Sequence, residues 1–163
     1  MSTKSEREIV LRRMQEIETE AWVAMMNHPK LAKHLPLLRT PFTLEDAKEF
    51  VLIKESYWET HGYGPWALLN QNKLMGWGGF QPCQEQAELA LVLQPNWWGW
   101  GKECLQKFIE HNSYSHLTQL IVRLPDSRKN LRGMERLGFQ QQGVTFIDGN
   151  LFFQFFKNLK TNN

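Results

Sequence analysis

The chain has 163 residues, of which 42% are hydrophobic and 22% charged, and its formal net charge is +2. These values are typical of one globular domain, which we expect to span residues 1–163 with its core at about residues 5–157. No stretch approaches the ~20 apolar residues of a membrane span, and residues 1–13 lack the apolar run of a secretory signal. Two cysteines are too few for a disulfide scaffold. We therefore expect a cytoplasmic protein with no membrane partner.

The first part of the chain predicts a strand followed by two helices. Residues 8–14 form a short apolar and basic run typical of an edge strand, and residues 15–27 carry apolar side chains at helical spacing. Residues 28–42 contain three prolines and predict an irregular segment. Thr43 is a good N-cap for the second helix, and Gly62 can end it in a left-handed conformation.

Three strands follow the second helix. Residues 65–70 and 73–80 have strand character, and the two residues between them predict a hairpin turn. Glycines in the second of these strands predict a bulge or a close approach of the backbone. Residues 88–93 have few polar groups and predict a buried strand, which Pro95 ends.

The second half of the chain predicts a crossover and a closing hairpin. A helix at about residues 101–112 and a strand at residues 118–124 follow without a hairpin, so we expect a parallel pair of strands. A last helix begins at Asp126 or Ser127. Residues 139–146 and 151–156 are expected to form a closing hairpin around Asp148 and Gly149, a pair typical of a type I′ turn. The inward positions of the first of these helices are expected to be Cys104, Leu105, Phe108 and Ile109. The order of elements, βααβββαβαββ, predicts an α/β domain with a mixed sheet.

The loop after the buried strand has the features of an anion site. Gly99 and Gly101 lie in it, directly before the predicted helix. Amides at a helix start are unpaired, and the helix dipole favours negative charge there. Glycine also lets the backbone approach a ligand closely. Ligands of parallel sheets bind at the carboxyl ends of the strands, where this loop lies.

Common nucleotide-binding and catalytic motifs do not match the chain. Cys104 stands where a dinucleotide fingerprint needs a third glycine, and the residues after Gly101 lack the hydroxyl group of a P-loop. No serine lies in a G-x-S-x-G motif, and the histidines and cysteines lack zinc-like spacing. We therefore expect neither nucleotide hydrolysis, dehydrogenase chemistry, serine hydrolysis nor a metal site.

The order of these segments resembles the GNAT superfamily of acetyl-CoA-dependent N-acetyltransferases, in particular the branch of the ribosomal-protein N-terminal acetyltransferases. The resemblance runs from about residue 5 to residue 157. Its most specific part is residues 88–93 followed by Pro95 and by WGWG at residues 98–101, which is similar to the family's acyl-CoA pyrophosphate loop. ERLGF at residues 135–139 is similar to the end of the family's fourth helix. The resemblance implies the GNAT fold and transfer of an acetyl group from acetyl-CoA to a primary amine.

The resemblance also implies where acetyl-CoA binds. In the family, the fourth and fifth strands splay apart, pantetheine pairs with the main chain of the fourth strand, and loop amides hold the pyrophosphate. The implied binding residues are Leu91, Val92, Leu93, Trp98, Gly99, Trp100, Gly101, Lys102 and Asn130.

Glu88 stands at the family's acidic position and is the expected catalytic base. A lysine-type amine has a pKa of ~10.4 and an α-amine one of ~8, so an acceptor amine must lose a proton before it attacks. A carboxylate can take this proton, directly or through water. The alternative is that Glu88 is only a charged residue at the start of a strand.

The chain departs from the family where a general acid is expected. Relatives in this branch carry N-x-x-S before the fourth helix, whereas Ser127 and Asn130 stand in the opposite order here. Asn130 cannot act as an acid, and Met134 occupies the place of a tyrosine used by other members. A non-catalytic acyl-CoA sensor or interaction module on the same fold is therefore the alternative function.

The expected partner is an acceptor amine, either a protein N-terminus or a small molecule. Its recognition is expected in residues 28–42 and 145–150, which carry no readable code. Arg128, Arg132 and Arg136 form one short basic stripe, which favours a solvated helix face and no nucleic-acid partner. The alternative is that Arg128 or Arg132 contacts the phosphates of CoA. The phenylalanines at residues 152–156 are expected in the core, and an exposed face there would indicate a homodimer contact.

Overall fold

The computed structural model describes residues 7–38, 41–84, 86–111, 117–127 and 131–159. Seven strands form one mixed sheet in the order β1-β2-β3-β4-β5-β7-β6. The strands are β1 (Val10–Arg12), β2 (Pro65–Asn70), β3 (Lys73–Cys83), β4 (Gln86–Leu93), β5 (Gln119–Pro125), β6 (Gln140–Ile147) and β7 (Asn150–Asn158). The expected mixed α/β architecture is confirmed.

Five α-helices occur in the described part of the chain, and short 3-10 turns lie at Met14–Glu16 and Pro95–Trp97. The helices are α1 (Thr19–Met26), α2 (Pro29–Ala32), α3 (Leu44–His61), α4 (Gly101–Glu110) and α5 (Arg132–Arg136). No helix among these residues is long and apolar enough to cross a membrane.

Local capping determines both ends of α3. The Thr43 hydroxyl accepts from the amide of Asp46 at 3.1 Å, and the Asp46 carboxylate accepts from the amide of Thr43 at 2.9 Å. This reciprocal pair satisfies two amides that the helix leaves unpaired. Gly62 ends the helix with φ +76°, a conformation that glycine adopts without strain. Both predicted ends are confirmed.

The β2–β3 hairpin contains the expected bulge. Its register shifts between Leu68 and Leu69, opposite the segment that holds Gly76. A Cβ atom on Gly76 would lie 2.0 Å from the carbonyl oxygen of Val92 on β4. The glycine is therefore required because β3 and β4 approach too closely for any side chain at this position.

The sheet separates two hydrophobic layers. Helices α1–α3 cover one face, and α4 and α5 cover the other. The first layer contains Met14, Trp22, Met25, Met26, Leu31, Phe42, Ala47, Ala67 and Trp77. The second contains Leu68, Met75, Phe80, Leu105, Phe108, Met134, Phe139 and Phe155 among others. Alternation along β3 places Trp77 and Gln81 on the α1–α3 face, and the same alternation puts Glu88 of β4 on that face.

Several details differ from the sequence predictions. The last helix was predicted to begin at Asp126 or Ser127, but both residues lie in a turn and α5 begins at Arg132. The first helix begins at Thr19 rather than at residue 15, because Met14–Glu16 form a 3-10 turn whose Met14 is buried. The segment predicted as irregular contains α2, which Pro29 begins at a position where its missing N–H costs nothing. Ile109 was predicted to face inward, and this is wrong: it lies in the last turn of α4 and is 40% exposed.

Candidate acyl-CoA site

Strands β4 and β5 form a fork in the middle of the sheet. They run parallel but pair only at Ala87 with Leu120 and at Glu88 with Ile121. Beyond these pairs β4 continues to Leu93 and β5 to Pro125, but the two strands no longer pair with each other. The two strands therefore leave a gap between them that opens toward their carboxyl ends.

The main chain of Leu91 lines this gap. Cβ atoms on Gly76 and Gly78 would lie 2.0 and 2.7 Å from the carbonyl oxygens of Val92 and Ala90, so both of these carbonyls face β3. Main-chain groups of successive strand residues point to opposite sides, so those of Leu91 and Leu93 face the gap. The carbonyl of Leu93 accepts from the indole nitrogen of Trp98 at 2.8 Å. Leu91 is therefore the residue best placed to pair with an inserted extended ligand.

The loop at the open end of β4 presents four main-chain amides without a protein partner in the described residues: those of Gly99, Gly101, Lys102 and Glu103. The neighbouring amides of Trp98 and Trp100 are used inside the loop, where each donates at 3.2 Å to the carbonyl three residues earlier. Gly99 has φ +100°, which turns the chain into α4. Unpaired amides at the start of a ten-residue helix attract an anion.

The glycines leave the surface of this loop open. A Cβ atom on Gly99 would have no atom within 4 Å, and one on Gly101 would touch only Leu91 Cδ2 at 3.8 Å. The loop glycine Gly101 thus lies beside the strand residue that lines the gap. An elongated ligand could therefore contact the loop and the gap together.

The tryptophans around the loop pack and hydrogen-bond to the protein. The Trp97 indole donates to Oδ1 of Asn70 at 3.3 Å, and the Arg7 guanidinium carbon lies 5.1 Å from the centre of the Trp100 ring. Arg7 also forms an ion pair with Glu103 at 3.2 Å. Trp97 and Trp100 are thus held by contacts with neighbouring residues of the protein.

Glu88 lies at the closed end of the fork, in a chain of polar side chains. It is 8% exposed and is the only charged residue in the buried class within the described ranges. Its Oε2 accepts from Nε of Arg123 at 2.5 Å, and its Oε1 accepts from Nε2 of Gln81 at 3.1 Å. The Oε1 of Gln81 in turn accepts from Nζ of Lys54 at 2.6 Å.

Burial lowers the pKa of Lys54 to about 8, although the charge of Glu88 opposes this shift. The ammonium group lies 4.7 Å from the ring centre of Trp77, 5.5 Å from that of Phe50 and 5.6 Å from that of Tyr57. Aromatic faces attract a cation and replace part of its lost hydration. Sequence reasoning missed Lys54, Gln81 and Arg123. Strand register brings Gln81 and Arg123 to Glu88, and the packing of α3 on the sheet brings Lys54 to Gln81.

His34 spans the open end of the fork. Its Nδ1 lies 3.2 Å from the Ser127 hydroxyl, just beyond β5, and its ring packs edge to face on Trp98, just beyond β4, with a centroid distance of 5.9 Å. The segment after α2 therefore contacts both arms of the fork.

The remaining candidate residues are placed as follows. Met134 is buried in the α4–α5 layer, and Arg132 and Arg136 are exposed on α5. Asn130 and Arg128 lie outside the described residues. Lys102 is exposed at the start of α4.

A forked parallel pair with a glycine loop at its open end is an arrangement that can take an extended, anionic ligand along a strand. A family model described as "Acetyltransferase (GNAT) domain" matches residues 8–140. The chain belongs to this GNAT acetyltransferase family. A comparison with curated protein sequences gave no match.

Solved structures support the same fold. A GnaT-family acetyltransferase from Bordetella pertussis has a TM-score of 0.74 at 21% identity, covering 96% of this chain and 98% of that one. An acetyltransferase from Salmonella typhimurium, described as modifying the N-terminal serine of ribosomal protein L7/L12, has a TM-score of 0.72 at 14% identity, with coverages of 94% and 96%. Spermidine N-acetyltransferase from Vibrio cholerae, solved with CoA and spermine, has a TM-score of 0.69 at 13% identity, with coverages of 93% and 95%.

Proposed function

We propose that this protein transfers the acetyl group of acetyl-CoA to a primary amine. The observation that carries the proposal is the fork between β4 and β5 together with the unpaired amides at its open end. The fork accepts an extended chain, and the loop accepts an anion. Acetyl-CoA combines these two chemical features in one molecule.

In this proposal the pantetheine arm lies along β4, and its polar groups pair with the main chain of Leu91 and Leu93. The carbonyl of Val92 faces β3 instead. Val92 therefore links Leu91 and Leu93 in the strand without pairing with the ligand through its own carbonyl. The pyrophosphate binds the amides of Gly99, Gly101 and Lys102. Trp98 and Trp100 shape the loop around it, and Asn130 is a further proposed pantetheine contact.

The reaction is a direct transfer. The acceptor nitrogen forms a bond to the thioester carbon, the carbon–sulfur bond breaks, and CoA leaves as its thiol after taking up a proton. A main-chain amide of β4 polarises the thioester carbonyl and stabilises the negative charge that develops on its oxygen.

We assign to Glu88 the removal of the proton from the acceptor ammonium, directly or through a water molecule. It is buried at the closed end of the fork, next to the place where the thioester would lie. Two donors hold its carboxylate in position, so it does not need to reorganise before reaction.

The acceptor class is a primary amine. Neighbours with this fold are described as a spermidine N-acetyltransferase, an aminoglycoside acetyltransferase and an enzyme that modifies a ribosomal-protein N-terminus. In this chain the acceptor would contact the segment of residues 28–42, whose His34 reaches both arms of the fork.

The proposal is tested by measuring CoA release from acetyl-CoA over a panel of peptides with different N-termini, polyamines, aminoglycosides and simple amines. A Cys83→Ser background prevents the half-buried thiol from reacting with the detection reagent. We expect turnover with at least one acceptor and none with the Gly101→Glu variant.

A second candidate is a non-catalytic acyl-CoA-binding module. It is favoured by the position of Met134, which is buried where other members use a tyrosine, and by Ser127, whose hydroxyl contacts His34. Saturable acetyl-CoA binding in calorimetry, with no acetylated product from any acceptor in the panel, would establish this alternative.

A further inference from the structure

Three side chains from three different elements form one hydrogen-bonded chain on the α1–α3 face of the sheet. Lys54 of α3 donates to Gln81 of β3, and Gln81 donates to Glu88 of β4. The distances are 2.6 and 3.1 Å, and the chain ends at the closed end of the fork.

The direction of this chain follows from the chemistry of its first member. A lysine ammonium has three donors and no acceptor. It therefore requires the carbonyl oxygen of the Gln81 amide, and the NH₂ group of the same amide must then face Glu88. A carboxyl oxygen opposite an NH₂ group can only accept. Lys54 therefore makes Glu88 a hydrogen-bond acceptor by fixing the orientation of the Gln81 amide.

Arg123 makes the other carboxyl oxygen of Glu88 an acceptor as well. A guanidinium group has donors only, and it occupies the second oxygen of Glu88. A protonated Glu88 would have to direct its hydroxyl hydrogen at one of two donor groups. The ionised carboxylate can accept from both groups, and it is the form that can take a proton from an amine.

The other titratable groups near Glu88 leave this balance unchanged at neutral pH. Burial is the largest cause that raises the pKa of Tyr57, on the same helix as Lys54, and that of Cys83 on β3. Both side chains are therefore neutral, and the charges that face Glu88 from the described part of the chain are the two cations, Lys54 and Arg123.

We propose that Lys54 is a positioning residue for the acetyl transfer: it fixes the amide orientation of Gln81 and thereby holds Glu88 as a proton acceptor. The catalytic consequence rests on the proposed function, whereas the effect on Glu88 does not. If Lys54 is replaced by an apolar residue, the Gln81 amide is free to rotate and can offer its oxygen to a protonated Glu88.

The deciding experiment follows the titration of the Glu88 carboxyl by NMR in protein labelled with ¹³C at the glutamate side-chain carboxyl, with Glu88→Gln for assignment. In Lys54→Met we expect Glu88 to take up its proton about one pH unit higher than in the unmodified protein, as one hydrogen bond to a charged group implies. Lys54→Arg keeps a donor-only group and should leave the titration unchanged. Lys48→Met, at an exposed lysine of the same helix, is the matched control.

An unchanged Glu88 titration in folded Lys54→Met would overturn the proposal. If far-UV circular dichroism shows that this variant does not fold, Gln81→Leu decides instead, because it breaks the same chain and should give the same shift. An unshifted titration there would likewise overturn it.

Turnover separates this proposal from the proposed function. The acid limb of the kcat/KM profile should move to higher pH in Lys54→Met, while the affinity for acetyl-CoA is retained. If the unmodified protein turns over no acceptor, acetyl transfer fails, and the carboxyl titration still decides the role of Lys54. If turnover is present and the titration is unmoved, acetyl transfer stands and the positioning role fails.

Discussion

The Arg123 side chain of β5 donates to Glu88 of β4 across the point where the two strands separate. Ile121 is the last residue of β5 that pairs with β4, and it pairs with Glu88 itself. Arg123 lies two residues further on and therefore on the same face. The ion pair thus joins the arms just beyond the last main-chain pair, and the hydrogen bond to Glu88 is the largest cause of the raised pKa of Arg123.

Replacing Arg123 by Met should destabilise the protein, because it leaves the buried Glu88 carboxylate without its ion-pair partner. We expect a loss of about 3 kcal/mol in the free energy of unfolding, measured by urea denaturation at pH 7. Arg136→Met, at an exposed arginine of α5, should change stability by less than about 0.5 kcal/mol. Equal stability of the two variants would show that the ion pair contributes nothing.

Lys54 should make stability depend on pH. Its pKa falls from 10.5 to about 8 on folding. Below pH 8 the folded state bears the cost of burying the charged amine. Between pH 8 and 10.5 only the unfolded state is protonated, so this cost is relieved as the pH rises.

The unfolding free energy of the unmodified protein, relative to Lys54→Met, should therefore rise by about 3 kcal/mol between pH 7.5 and 10.5. Urea denaturation of both proteins across this range measures the difference. Buried thiols and phenols have the opposite pH dependence, but both proteins contain them and their contribution cancels in the difference. Lys73→Met, at an exposed lysine, should give a flat difference. A flat difference for Lys54→Met would contradict the burial of its charge.

The two cysteines should differ in reactivity. Cys104 is fully buried on α4, and burial raises its thiol pKa to about 12, whereas Cys83 is half-buried at the end of β3. Because the thiolate is the reactive form, iodoacetamide at pH 8 should alkylate Cys83 in the native protein and Cys104 only after unfolding. Mass spectrometry of tryptic peptides measures both, and early alkylation of Cys104 would count against this packing.

Substitutions at Gly101 should distinguish charge from size in the loop. Gly101→Glu places a negative charge among the unpaired amides and should weaken acetyl-CoA binding by roughly tenfold or more in calorimetry. Gly101→Ala adds a methyl group whose closest neighbour would be Leu91 at 3.8 Å, so it should fold normally and lose less affinity. Unchanged affinity in Gly101→Glu would remove the loop from the proposed site.

Gly76→Ala should be strongly destabilising. Its added Cβ would meet the Val92 carbonyl oxygen at 2.0 Å, so β3 and β4 would have to separate. We expect a loss of about 3 kcal/mol or more in thermal or urea unfolding. Gly133→Ala, where the added Cβ has open space in α5, should be neutral or stabilising by up to about 1 kcal/mol. Similar stabilities would contradict the close approach of the strands.

Features set by neighbouring residues were predictable from the sequence. The capping box at Thr43, the left-handed stop at Gly62 and the turn at Asp148 and Gly149, which has φ +50° and +80°, each depend on a few adjacent residues. The family's loop and strand motif was equally local. These parts of the fold agree with the predictions because their causes lie within one short segment.

The surroundings of Glu88 were not predictable in the same way. Gln81 and Arg123 approach Glu88 only through the register of two strand pairs, and Lys54 approaches through the packing of α3 on the sheet. The sequence carries no local mark for such contacts. Ile109 is an incorrect prediction of another kind. Its helical spacing from Leu105 predicted burial, but it lies in the last turn of α4 and is exposed.

The position of the fork inside the sheet limits what could pair with β4. Adjacent strands of a sheet lie about 4.8 Å apart, so a chain that pairs with β4 inside the gap would have to be slender and extended. A strand edge at the rim of a sheet is open to another protein, whereas this edge is flanked by β5 and closed at one end by Glu88 and Arg123. The main chain of Leu91 thus lies away from the rim of the sheet, where exposed edges invite aggregation.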